Sequence, residues 1–246
     1  MIPDHDRLLM KIRFADIDAI TFDFYNTLVY HRQGRGRGAM LMEYLAEQGL
    51  ESDPWEHQVL YDVFQRHDKA YSSKFSADQK RRYAVEIAER VFRRLNVRAP
   101  VGAADDHAAS VWAVLGPTSL SVFPEVPDTL KILRDAGYRL AVVSNWQCGL
   151  WHFCADLGIA DMFEHVVASA EVGIEKPNPE IFHDTCHRMQ TEPHRVLHVG
   201  DSVLDDIDGA RSAGMQALLV RRSESGSPAA VSTITSLQQL PGLLGV

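Results

Sequence analysis

The sequence predicts an α/β fold, a doubly wound parallel sheet interrupted by an all-helical insert, and three observations carry that expectation. Short apolar segments recur near residues 17–23, 139–144, 165–168, 195–200 and 216–220, with helical patterns between the later ones, as in a parallel sheet covered on both faces. Between about residue 33 and about residue 117 the strand signals vanish and helical spacing takes over. Several of the apolar segments end in polar side chains; in an open α/β sheet, ligands bind outside the carboxyl ends of the strands.

The first strand is Ile20-Thr21-Phe22-Asp23, and Phe24-Tyr25-Asn26-Thr27-Leu28 is the turn that leaves it. In the insert, Ala84, Ile87, Ala88, Val91, Phe92 and Leu95 fall on one helical face, Ser76-Ala77-Asp78-Gln79 has the form of a capping box, and Pro54 is placed to begin another helix. After the insert, Pro127 opens and Gly137 closes a helix over 126–136, the expected asymmetry of Pro first and Gly last. Leu140-Ala141-Val142-Val143 is a strand that ends in Ser144-Asn145. Lys176-Pro177-Asn178-Pro179 opens a helix, and Arg195-Val196-Leu197-His198-Val199 runs into Gly200-Asp201-Ser202-Val203-Leu204-Asp205-Asp206. A further helix is expected from Asp205 to Ala213, closed by Gly214, and Ser223 to Pro228 reads as a surface loop.

Composition narrows the class of function. A chain of 246 residues with 46% hydrophobic residues suffices for one large domain, or a core with a smaller one. The formal charge of -8 argues against a nucleic-acid partner, which calls for a basic stripe. The exception is local, Arg32 to Gly38 with three arginines, and reads as a solvated loop able to attract an anion. Cys148, Cys154 and Cys186 have no metal-type spacing and leave one thiol over in any pairing, which favours a reducing, cytoplasmic setting. Cys148 reads as a small helix residue, since no matching base is evident. The segment Met1 to Asp6 has no signal-peptide pattern, and no apolar run approaches a membrane span.

Together and in this order, these element-end segments resemble the four motifs of the haloacid dehalogenase-like (HAD) hydrolase superfamily. These are a nucleophile Asp in a D-x-x-x-T turn (Asp23 to Thr27), a Ser after the second strand (Ser144), a Lys (Lys176), and a Gly-Asp pair followed by a further Asp (Gly200-Asp201, then Asp205 or Asp206). The resemblance covers about residue 15 to about residue 220, apart from the insert. It implies a Rossmann-like catalytic core over 1–32 and 118–246 and a helical cap of the C1 type over 33–117, of the kind that screens water and selects substrate. It also implies a hydrolase that uses Mg²⁺ and acts on a small phosphorylated molecule through an aspartyl-phosphate on Asp23.

An anionic nucleophile is repelled by a phosphoryl group, so such a site needs positive charge. By resemblance, Asp23, the backbone carbonyl of Tyr25, Asp201 and Asp206 bind the metal as hard oxygen ligands. Asp205 is the alternative to Asp206, the other of the two then capping the following helix. Lys176 neutralises charge on Asp23 and on the transferring group, and Ser144 with the backbone or side chain of Asn145 donates to its oxygens.

The departure from the family pattern is Tyr25. Most phosphatases of the family carry a second Asp there, as general acid and base, and a phenol with a pKa near 10 is a poor base at neutrality. The turn is similar to the D-x-Y-G-T of 2-haloacid dehalogenases, in which halide leaves unprotonated; a dehalogenase is therefore the alternative, and a catalytically weak binding protein a third reading. The acidic cluster Asp201, Asp205 and Asp206 decides for the phosphatase, because carboxylates buried beside Asp23 without a cation are strongly unfavourable. The physiological substrate, the oligomeric state, and which of Trp55, Tyr61, His67, Tyr71 and Trp112 face the crevice are left open, and His31 is a further candidate for substrate contact.

Overall fold

In a computed structural model of the chain, residues 12–32, 34, 36–56, 58–64, 71–222 and 231–246 are described. The readings made on Met1 to Asp6, Gln33, Arg35, the Tyr61 side chain, His67 and Ser223 to Pro228 lie outside them.

The strands are β1 (Ala19–Phe22), β2 (Val29–His31), β3 (Leu120–Val122), β4 (Arg139–Ser144), β5 (His165–Ala168), β6 (Val196–Gly200), β7 (Gln216–Val220) and β8 (Thr233–Ile234). Six of them form one sheet in the order β5-β4-β1-β6-β7-β8, and every pairing in it is parallel. The chain enters at the centre, at β1, and builds outward on both sides. β1 is therefore flanked by β4 and β6, the switch point at which such sheets bind ligands. β1 is buried along its whole length, as expected for a central parallel strand covered on both faces. Full burial of Ile20 or Phe22 stabilises the fold by roughly 1.5–3 kcal/mol. β2 and β3 form a separate two-stranded ribbon.

The chain divides into two compact units. The first comprises Met1–Tyr30, Val122–Trp146 and Gly158–Val246, and holds the six-stranded sheet. Its helix Val126–Asp135 has proline in the first turn and Gly137 just past its end at φ +94°, a left-handed conformation that only glycine takes without strain.

The second unit comprises His31–Ser121 and Gln147–Leu157 and is mainly helical. Its longest helix, Ala77–Arg94, begins at a reciprocal capping box: Gln79 N–H donates to Ser76 Oγ at 3.3 Å, and Ser76 N–H donates to Gln79 Oε1 at 2.8 Å. The stripe Ala84, Ile87, Ala88, Val91, Phe92 and Leu95 is buried. Tyr71, Tyr83, Trp112 and Phe153 pack ring against ring, with centroids 5.1 to 6.4 Å apart. The Tyr71 hydroxyl donates to Asp156 at 2.5 Å.

Three local expectations are corrected. Pro54 opens no helix, since residues 52–56 are irregular and the helix here is Gln58–Phe64. Cys148 lies in the turn ahead of the helix Leu150–Asp156 rather than in a helix. The helix expected from Asp205 starts earlier, as a wide π-helical turn over Val203–Asp208 that continues into Gly209–Ser212. All three cysteines are free thiols. Among the described residues no helix is long and apolar enough to cross a membrane.

Candidate active site

Three strand ends supply the site. Asp23 follows β1 and still donates its backbone N–H to Val199 of β6 at 2.9 Å, so the sheet ladder itself fixes where its side chain leaves. Ser144 is the last residue of β4, and its hydroxyl donates to Asp23 Oδ1 at 2.9 Å. Gly200 ends β6. A Cβ on it would meet Asp206 Cγ at 2.2 Å, so a side chain there would displace that carboxylate.

Lys176 is buried between two carboxylates, with Nζ donating to Asp23 Oδ1 at 2.6 Å and to Asp206 Oδ1 at 2.5 Å. Its backbone is gripped from both sides by one side-chain amide: Asn145 Nδ2 donates to the Lys176 carbonyl at 2.9 Å, and Asn145 Oδ1 accepts from Lys176 N–H at 2.8 Å. The Asn145 side chain thus positions the lysine. Of the two ways in which Asn145 was expected to reach substrate, the backbone is the one left to it.

Asp206, not Asp205, joins the cluster. Its Oδ2 accepts from Ser202 N–H at 2.9 Å, and Oδ1 accepts from His198 Nε2 at 3.1 Å. Neither aspartate caps the following helix, because Ser202 takes that place, its hydroxyl accepting from Asp205 N–H at 3.1 Å. Carboxylate oxygens of Asp23, Asp201 and Asp206 lie within 4.8 Å of one another. Asp201 Oδ2 also accepts from Asn26 Nδ2 at 3.2 Å. The Tyr25 ring lies 6.4 Å from that of Trp146, which packs edge-on against buried Phe24 at 4.9 Å.

The electrostatics follow from burial. Asp23 is raised above the usual carboxylate range, because burial and the nearby Asp206 outweigh the help of Lys176 and Ser144. Burial acts the same way on Asp206, yet Lys176 and His198 hold it well below that range. Lys176 loses by burial but is held above its normal value by the two carboxylates, so it stays charged. Asp201 is pushed up to about 7 by burial and by the charges of Asp23 and Asp206. One lysine thus offsets one of three carboxylates, and hard oxygen donors with negative charge to spare fit a divalent cation such as Mg²⁺.

Sequence reasoning missed two supports of this site. His198 is fully buried in β6 between Thr21, whose Oγ1 lies 2.8 Å from Nδ1, and Asp206. Burial holds its imidazole below the usual range and so neutral. Since ionised Asp206 can only accept, Nε2 carries the proton and Nδ1 accepts from the Thr21 hydroxyl. The signal was a polar residue inside an apolar strand. Asn26, at φ +60°, is the other support. His31 is buried in the helical unit with Nε2 3.4 Å from the Val114 carbonyl. Tyr71 and Trp112 belong to the aromatic cluster.

The family profile described as haloacid dehalogenase-like hydrolase matches residues 17–214, and the chain belongs to that family of hydrolases. It is 28% identical over 230 residues to the haloacid dehalogenase-like hydrolase domain-containing protein 3 of Bos taurus, covering 91% of this chain and 90% of that protein. It is 33% identical over 181 residues to a glyceraldehyde 3-phosphate phosphatase of Methanopyrus kandleri, 73% of each chain. Among solved structures, a 2-haloacid dehalogenase from Pseudomonas syringae is similar with a TM-score of 0.61 at 27% identity, over 93% of this chain and 98% of the other.

Proposed function

We propose that the protein is a Mg²⁺-dependent phosphatase that acts on a small phosphorylated metabolite through an aspartyl-phosphate on Asp23. The observation that carries this reading is the packing of three carboxylates within 4.8 Å of one another around a single lysine. An attack on carbon needs no such surplus of buried charge, whereas phosphoryl transfer uses it to hold a cation.

Asp23, Asp201, Asp206 and the Tyr25 carbonyl would hold the ion, which would shield the nucleophile from the charge of the phosphoryl group. Ser144 and Lys176 both donate to Asp23 Oδ1 and fix the carboxylate, so Oδ2 attacks phosphorus. As that bond forms, the bond from phosphorus to the leaving oxygen breaks, and Lys176 neutralises charge gathering on the transferred group. Water then attacks the acyl phosphate at phosphorus, inorganic phosphate leaves, and Asp23 is restored. Tyr25 can give a proton to the leaving oxygen but activates water poorly, so substrates whose leaving groups need no protonation react fastest. The helical insert, 33–117 by the sequence, serves as a C1-type cap on the core of 1–32 and 118–246.

A second reading, 2-haloacid dehalogenation, is favoured by Tyr25 and by the similarity to the Pseudomonas syringae 2-haloacid dehalogenase. Phosphate release from p-nitrophenyl phosphate, with Mg²⁺ and with EDTA, beside chloride release from L-2-chloropropionate, separates the two. Phosphate release that requires Mg²⁺ supports the phosphatase; chloride release that persists in EDTA contradicts it.

A further inference from the structure

Arg222 makes contacts that the chemistry above does not use. It stands just beyond β7, with its side chain 18% exposed. Nε donates to the Asn26 carbonyl at 3.2 Å, Nη2 to the Thr27 carbonyl at 2.6 Å, and Nη1 to Glu125 Oε1 at 2.5 Å. The guanidinium carbon lies 3.4 Å from the centroid of the Phe123 ring. Phe123 is itself tied to the same turn, its N–H donating to the Leu28 carbonyl at 3.1 Å. Ser236 Oγ donates to Glu125 Oε1 at 3.2 Å, which steadies the counter-charge. All three guanidinium nitrogens are engaged, and an aromatic face sets the plane. Only a rigid planar fork meets two carbonyls, a carboxylate and a ring at once.

The two carbonyls belong to the turn that carries Asp23. Asn26 holds a left-handed conformation, φ +60°, that a residue with a side chain adopts at some strain. In that conformation its Nδ2 reaches Asp201 Oδ2. Resting on the phosphatase reading, we propose that Arg222 is a positioning residue. Clamped by Glu125 and stacked on Phe123, it holds the Asn26 and Thr27 carbonyls, and so keeps the Asp23–Thr27 turn in the form in which Asn26 orients Asp201 for the metal.

The test compares Arg222→Lys and Arg222→Met with the wild-type chain in three readouts: Mn²⁺ binding followed by electron paramagnetic resonance, kcat and KM for p-nitrophenyl phosphate, and the thermal midpoint. Arg222→Lys keeps the charge beside Glu125 but cannot serve both carbonyls. It is expected to bind Mn²⁺ about tenfold more weakly and to lose kcat by about the same factor, with KM and the midpoint near wild type; Arg222→Met falls by about 100-fold, as for groups that orient metal ligands. Phe153→Leu, in the aromatic cluster of the helical unit, is the control: its midpoint falls while its Mn²⁺ affinity holds. Wild-type Mn²⁺ affinity in Arg222→Lys overturns the proposal, and so does a loss of affinity in Phe153→Leu that matches its loss of stability. A wild-type chain that binds Mn²⁺ yet releases no phosphate contradicts the phosphatase reading instead, while the affinity comparison still judges Arg222.

Discussion

At the ends of β1, β4 and β6, Asp23, Lys176, His198 and Asp206 are at most 7% exposed, and in the helical unit so are Tyr71, Tyr83 and Phe153. Burial is alike in the two regions, but its energetic sign is not. The aromatic cluster gains from every apolar contact, and burial raises the Tyr71 and Tyr83 phenols so that they stay neutral. The strand-end cluster confines like charges, and its hydrogen bonds and ion pairs outweigh desolvation at Lys176 and Asp206 but not at Asp23 and Asp201. The second arrangement is the mark of a site kept for chemistry at some expense of stability, and it marks function better than burial or pocket shape does.

That contrast can be broken from either side. The largest effect is expected for Asp23→Asn, which removes the proposed nucleophile and one of the crowded charges together. Phosphate release should fall by at least about 10³-fold, while thermal unfolding shows a midpoint equal to or above wild type. A lower midpoint would mean that the cluster stabilises the fold. Next comes Phe153→Ala in the helical unit, which should lose about 3–5 kcal/mol in denaturant unfolding, as for an emptied aromatic site; a loss below about 1 kcal/mol would show loose packing there. Tyr25→Asp restores the acid and base that most family phosphatases carry. It should raise turnover of alkyl phosphates by at least about tenfold against that of p-nitrophenyl phosphate, and an unchanged ratio would show that leaving-group protonation is not limiting.

The smallest effect concerns Glu125. Burial tends to raise it, but the hydrogen bond and charge of Arg222, with Ser236, bring it below the ordinary range. A folded-state value below the unfolded one stabilises the protein above the unfolded value, and that contribution is lost as pH falls through the folded one. Glu125→Gln should therefore lower stability by about 1 kcal/mol near neutrality, less in high salt, with the difference shrinking as acid titrates the carboxylate and vanishing only below its lowered folded-state value. A difference that persists in acid would assign it to shape rather than charge.

Much of this was legible in the sequence because parallel strands are short apolar runs with a polar residue at the exit. Asp23, Ser144 and Asp201 each stood at such an exit, Lys176 stood at the opening of a helix, and the stripe from Ala84 to Leu95 announced its helix. What stayed hidden depends on turn geometry and on contacts between residues far apart in the chain. That Asp206 rather than Asp205 turns inward follows from the wide turn after Ser202. That Asn145 holds Lys176 follows from β4 ending beside the Lys176 loop. Nothing local to Arg221-Arg222 distinguishes the arginine that reaches back to the turn after β1. β8, two residues long, gives no periodic signal.

The central claim is that Asp23 becomes phosphorylated, and trapping the intermediate tests it most directly. The chain would be incubated with acetyl phosphate and Mg²⁺, quenched in acid and reduced with borohydride, which converts an aspartyl-phosphate to homoserine. Peptide mass spectrometry should then find homoserine at position 23, and none after incubation with EDTA. An unmodified Asp23 in both samples, together with an ester on it after incubation with L-2-chloropropionate, would contradict the account.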